Sequence, residues 1–179
     1  LGLSKKLIDT HIAYDIGVKQ LALELSEKLK THLIMGDYSR LLIDLNRGIM
    51  DPTLVPSISD GVKIVKNYKL SRRDKKFRIS KIYKNYNDKI YKIIKREKIN
   101  LIISLHSFNP YYKKKKRNIK FGILSNSDRR YSDIIIEILS KKGYRVGDNQ
   151  PYEGNLIGDT MHRHGLRNGI LHTLIEIRN

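Results

Sequence analysis

LIISLHSFNP, residues 101–110, opens with five residues of which four are apolar and then runs into His106. An apolar run of this length reads as a strand covered on both faces, the pattern of a mostly parallel sheet with helices on either side. Two further runs have the same character, IKFGILS (119–125) and GILHTLIEIR (169–178). HLIM (32–35) and SRLLIDL (39–45) also read as strands. Between them lie stretches with helical spacing. Val18, Leu21, Ala22, Leu25 and Leu29 predict one helix, Ile79 through Ile94 a second, and Tyr131 through Leu139 a third that stops at Gly143. Residues 46–70 carry Gly, Pro, Ser and Asp breakers and read as a long loop, and a short helix is expected near 158–166. The alternation gives an α/β class: a three-layer sandwich around a mostly parallel, mixed central sheet.

Composition fits a globular chain of 179 residues, with 40% hydrophobic residues, 30% charged and 4 Pro. No apolar run approaches the roughly 18 residues of a membrane span, so no membrane partner is expected. The absence of Cys excludes disulfides, thiolate metal sites and a Cys nucleophile, and is compatible with a reducing cytoplasm. Net charge is +18, from 36 basic and 18 acidic residues. The Lys residues are spread along a chain that is also rich in Ile, Asn and Tyr, which reads as compositional bias. The one dense run is YYKKKKRN (111–118). As a solvated loop it needs no partner; as a nucleic-acid surface it offers only Tyr111 and Tyr112 for stacking.

The strand ends collect the polar groups, which is where ligands bind in such folds. His106 is either a hydrogen-bonded structural residue or a metal ligand through neutral imidazole. Ser104 and Ser107 flank it without the glycine elbow of a serine hydrolase. In DLNRG (44–48), Asn46 and Arg47 close an apolar run; a guanidinium there either forms a structural ion pair or forks a carboxylate. In IEIR (175–178), Glu176 and Arg178 share a face by alternation, as an internal pair or as a general base held near a cation. Asp15 caps the first helix or joins His11 as a candidate ligand. His162 and His164 are two residues apart, so at most one serves any one site.

HIAYDIG, YSRLLIDLNRG, LHSFNP, GDNQPYEG and IEIRN occur in this order. Together they resemble the N-formylglutamate amidohydrolase family, within the zinc carboxypeptidase-like superfamily, over nearly the whole chain. The resemblance implies a single amidohydrolase-like domain, 1–179, with a zinc-carboxypeptidase-like fold. It implies one Zn2+ per chain, held by His106 and Asp15, with His11 as the substitute candidate. Glu176 would be the general base and Asn46 with Arg47 the clamp on a substrate carboxylate. Arg40 and Arg178 would serve a second carboxylate or the developing oxyanion, and His162 a transition-state hydrogen bond. The reaction implied is hydrolysis of the amide of a small anionic N-acyl amino acid such as N-formylglutamate, with a related zinc peptidase or deacylase as the nearest alternative and a nucleic-acid-binding domain as the distant one. The family's opening strand ends in a Glu-His motif that supplies a first ligand, and that motif is absent here. Leu1 at the start and IEIRN at the end read as a trimmed chain.

Overall fold

The computed structural model describes residues 1–179. In chain order the elements are α1 (Lys5–Ile8), α2 (Val18–Leu29), the hairpin β1 (Ile58–Ser59) and β2 (Val62–Lys63), α3 (Val65–Tyr68), α4 (Arg72–Arg78), α5 (Lys84–Glu97), β3 (Leu101–Phe108), the hairpin β4 (Tyr111–Tyr112) and β5 (Lys115–Lys116), β6 (Phe121–Leu124), α6 (Ser132–Lys141), β7 (Val146–Asp148) and β8 (Leu171–Arg178). Two π-helical turns, Ile79–Tyr83 and Met161–Gly165, interrupt this order; the first joins α4 to α5. No helix is long and apolar enough to cross a membrane.

The central sheet runs β3-β8-β6-β7. β3 pairs with β8 in parallel, β6 with β7 in parallel, and β6 with β8 antiparallel, so the sheet is mixed as expected. Alternation sorts its faces. On one face Ile102, Leu124 and Leu174 close over Met161 of the second π turn. On the other, Thr173 exchanges a 2.8 Å hydroxyl hydrogen bond with Ser132 of α6. β8, paired on both sides, is the most deeply covered strand: His172, Thr173, Leu174 and Glu176 are all buried. α6 ends where Gly143 adopts φ +81° and its N–H bonds to Ser140, as the sequence predicted.

HLIM and SRLLIDL are not strands. Residues 31–47 form no ladder, although Leu41 and Ile43 are buried. Their backbone polar groups are satisfied by other means. Asn67 donates to the Leu41 carbonyl at 2.6 Å, Arg78 to the Leu42 carbonyl at 2.8 Å, and the Asp44 N–H bonds to Leu54 O at 2.8 Å. A buried backbone must find partners, but those partners need not be a strand. The region 46–70, expected as loop, also carries β1, β2 and α3. The helix expected near 158–166 is the second π turn followed by a 3-10 turn at Leu166–Asn168.

The loop after β7 lies against β6 where there is no side chain to obstruct it. A Cβ on Gly122 would stand 2.0 Å from the Gln150 carbonyl oxygen. Gly122 is the register partner of Glu176, so this loop borders the polar strand ends. Gly122→Ala is expected to destabilise the fold by about 1–3 kcal/mol, the usual cost of overpacking, measured as a lower urea midpoint at unchanged slope.

Candidate active site

The site begins with register. His106 of β3 and Glu176 of β8 are direct partners in a parallel ladder, so both side chains leave the sheet on the same face, side by side. This is the face covered by Met161, and both residues lie near the carboxyl ends of their strands. Ser104 stands two residues before His106, and its Oγ is 3.1 Å from His106 Nε2.

The loop before α2 supplies the next group. Asp15 does not cap that helix; Gly17 occupies the cap position with no side-chain hydrogen bond. Asp15 Oδ2 instead lies 2.7 Å from His106 Nδ1, across 91 residues of sequence. Arg40 Nη1 is 4.0 Å from Asp15, and its Nη2 donates to Asp44 at 2.9 Å. Asp44 accepts the Asn46 N–H at 3.0 Å, and Asn46 Oδ1 accepts the Thr160 N–H at 3.1 Å. A continuous polar chain therefore runs from β3 to the second π turn.

Electrostatics divides these groups. Burial works against the Asp15 carboxylate, but the His106 hydrogen bond and the charges of His106 and Arg40 outweigh it and hold the carboxyl below its ordinary range. Burial likewise works against a charged His106, yet the hydrogen bond and charge of Asp15, with Glu176 and Asp44 behind it, raise its proton affinity. Without another cation in the site, Asp15 and His106 form an ion pair. Glu176 behaves in the opposite way. Burial pushes its carboxyl up to about 7, and the nearby cations only partly offset that. Its Oε2 is buried with no hydrogen-bond partner. A buried acceptor left unpaired costs free energy, and Glu176 combines that cost with a raised proton affinity.

The remaining sequence candidates lie around this centre. Arg47 donates from Nε to Thr53 at 3.2 Å and from Nη1 to the Asn46 carbonyl at 3.1 Å. Arg178 shares the Glu176 face but does not pair with it; its Nη1 donates to the Arg117 carbonyl at 2.9 Å. His162 Nδ1 accepts the Gly158 N–H at 3.1 Å. His11 points elsewhere, to Asp60 at 3.2 Å and Asn109 at 3.3 Å.

Sequence reasoning missed Arg163. Its guanidinium donates to the carbonyls of Arg47 and Gly158, to Tyr83 Oη and to Asn87, and it stacks on the Tyr83 ring at 4.9 Å. Tyr83 also donates to the Arg47 carbonyl at 2.8 Å. The two π turns thus meet through Tyr83 and Arg163 and grip the backbone of Arg47 between them, a use of π geometry common near functional sites. Nothing in MHRHG marks the arginine over its two histidines.

No three His, Cys, Asp or Glu side chains are gathered to hold a metal ion. Asp15 and His106 present two donor atoms of the right kind, a carboxylate oxygen and an imidazole nitrogen, which meet at 2.7 Å beside Glu176. A catalytic zinc takes three protein ligands and one open position, so this chain's donors fit part of such a set.

Among solved structures, the chain is similar to a gene product of Agrobacterium tumefaciens, at 31% identity and a TM-score of 0.94 over 99% of this chain and 73% of that one. It shares its fold with an N-formylglutamate amidohydrolase from Ralstonia eutropha, at 22% identity and a TM-score of 0.55 over 78% of this chain and 61% of that one. No curated protein matches it. The sequence profile of the N-formylglutamate amidohydrolases matches residues 2–179. The chain, from its HIAYDIG loop to the strand that carries Glu176, belongs to the N-formylglutamate amidohydrolase family.

Proposed function

We propose that this protein hydrolyses the amide bond of an N-acyl amino acid, with N-formylglutamate as the reference substrate, using a divalent metal ion and Glu176 as general base. The observation that carries the reading is the convergence of Asp15, His106 and the unpartnered Glu176 carboxylate on one face of one pair of strands. Asp15 and His106 would hold the ion, taken to be Zn2+. Ser104 Oγ is placed to accept a hydrogen bond from His106 Nε2–H, which would leave the Nδ1 lone pair directed at the ion. When bound, such an ion lowers the pKa of a coordinated water to about 7 and polarises the scissile carbonyl.

The protein's own groups do the rest. Glu176 takes the proton of the attacking water and delivers it to the leaving nitrogen as the C–N bond breaks, giving a carboxylate and a free amine. A carboxyl titrating near 7 is matched to both transfers. Arg47 is fixed through Nε and Nη1, leaving Nη2 for a substrate carboxylate. Asn46 uses Oδ1 on Thr160 and keeps its amide N–H groups for the same carboxylate. Arg40, anchored on Asp44, adds positive charge where the oxyanion develops. Arg178 and His162, whose bonded atoms point back to the protein, are the outer groups of the set.

The deciding experiment is turnover of a panel of N-formyl amino acids, with metal content measured before and after chelation. Formate release that disappears with the metal and returns on adding Zn2+ is expected; full activity in the chelated protein would end the metal assignment. Arg47→Ala is expected to raise KM for N-formylglutamate by about ten- to a hundredfold, the loss of one charged hydrogen-bonded contact. kcat should change less, and N-formyl amines without a carboxylate should be unaffected. Equal losses on both substrate types would show that Arg47 holds the loop rather than the substrate.

A further inference from the structure

The run from Lys113 to Arg117 is not absorbed by the site, and the structure gives it a definite place. β4 and β5 form a hairpin that leaves directly from β3, closed at its base by the Arg117 N–H on the Pro110 carbonyl at 2.8 Å. With the loop after β7 it frames a pocket of about 570 Å³, lined by Tyr112, Lys113, Lys115, Lys116, Arg117 and Tyr152 with Pro151. No acidic residue lines it. None of the four cations that line it has a carboxylate partner, the condition of most basic residues in this chain. Lys113 and Lys114 occupy the hairpin tip at φ 46° and 66°. Such turns favour Asn and Gly, so the charge is kept there against backbone preference.

Arg117 is the fixed member. Its guanidinium lies 5.3–5.4 Å from the ring centres of Phe108, Tyr112 and Tyr152, and Nη1 donates to the Asn109 carbonyl at 3.0 Å. Phe108 is two residues beyond His106 on the same face, and the Arg117 carbonyl holds Arg178, two residues beyond Glu176. Pocket and candidate active site are therefore neighbours on one rim.

We propose that this pocket is an anionic subsite for the acyl side of an extended substrate: an acidic peptide whose last residue lies at Arg47 and whose preceding carboxylates lie on the hairpin. The inference rests on the function proposed above. Four cations gathered around one pocket exceed what one carboxylate needs, and a pocket of this size accommodates more than a formyl group. A single-stranded nucleic acid is disfavoured by the aromatic rings. Arg117 lies over the rings of Tyr112 and Tyr152, and Lys113 over Tyr112 at 5.5 Å, so cations already take part of the ring surface on which bases would stack.

The test is calorimetric titration of the full chain with N-acetyl-tetraglutamate at 50 and 500 mM salt, wild type against the Lys115→Ala, Lys116→Ala pair. Both lysines are exposed, so the fold should tolerate the change. The paired substitution is expected to weaken peptide binding about tenfold, and the higher salt to weaken it as well. N-formylglutamate hydrolysis should stay within twofold. Peptide affinity that is undetectable, or equal in the two proteins, overturns the subsite. So does tighter binding of a ten-residue oligothymidylate through the same lysines. Lysine-dependent peptide binding without any N-formylglutamate hydrolysis would support the pocket and overturn the reading of its neighbour; hydrolysis without peptide binding would do the reverse.

Discussion

His106→Ala is expected to remove bound metal and turnover together. The imidazole is held from both sides, by Ser104 at Nε2 and by Asp15 at Nδ1, so its orientation is set before any ligand arrives. Losing a residue that merely orients a ligand costs metal affinity about 10- to 100-fold; losing one of only two converging donors should cost more than that. The substitution also leaves Asp15 without its principal partner, with Arg40 still 4.0 Å away. A fall in unfolding free energy of about 1–3 kcal/mol is therefore expected as well, and metal content should be read on protein shown to be folded by circular dichroism. Asp15→Asn separates the two effects. It keeps a hydrogen-bonding group beside His106 but loses the anionic donor, so metal should fall while the fold holds. Folded His106→Ala protein with full zinc content would refute the ligand assignment.

Which of these features a reader of the sequence could reach depends on how far each partner lies along the chain. β3, β8 and α6 are legible because their signals are local: apolar runs, helical spacing, a glycine at the stop. The same apolar signal misleads at residues 39–45. There Leu41 and Ile43 are buried as a strand would bury them, but side chains of Asn67 and Arg78, 26 and 36 residues further on, take the carbonyls a neighbouring strand would have taken. Alternation correctly puts Glu176 and Arg178 on one face but cannot say where the guanidinium turns, and it turns to Arg117. Asp15 reads most simply as a helix cap. The residues left it open as cap or ligand, the likeness to a known family leaned towards a ligand, and only the fold shows it against His106. Arg163 had no signal at all, since its role comes from the meeting of two π turns 80 residues apart.

Glu176→Gln should keep the ion and lose turnover, by about 10²- to 10⁴-fold, the range general acid–base catalysis contributes. The same substitution has a second consequence that does not depend on catalysis. In the folded chain the carboxyl titrates near 7 instead of 4.5, so between those values the native state binds a proton that the unfolded chain has released. Stability contributed by this group is complete below about pH 4.5 and is lost as pH rises towards 7. Above pH 7 the penalty reaches at most about 3.5 kcal/mol, at about 1.4 kcal/mol for each unit of displacement. Glutamine carries no charge and escapes it. In metal-free protein the variant should therefore unfold at higher urea than wild type at pH 8, with the advantage vanishing by pH 4.5. A bound cation near the carboxylate would offset the same penalty, so the advantage at pH 8 should shrink when zinc is added to both proteins. A stability difference that ignores pH would mean that Glu176 is not buried as an unpaired carboxylate. Near-normal kcat in the variant would remove it as the base whatever its proton affinity.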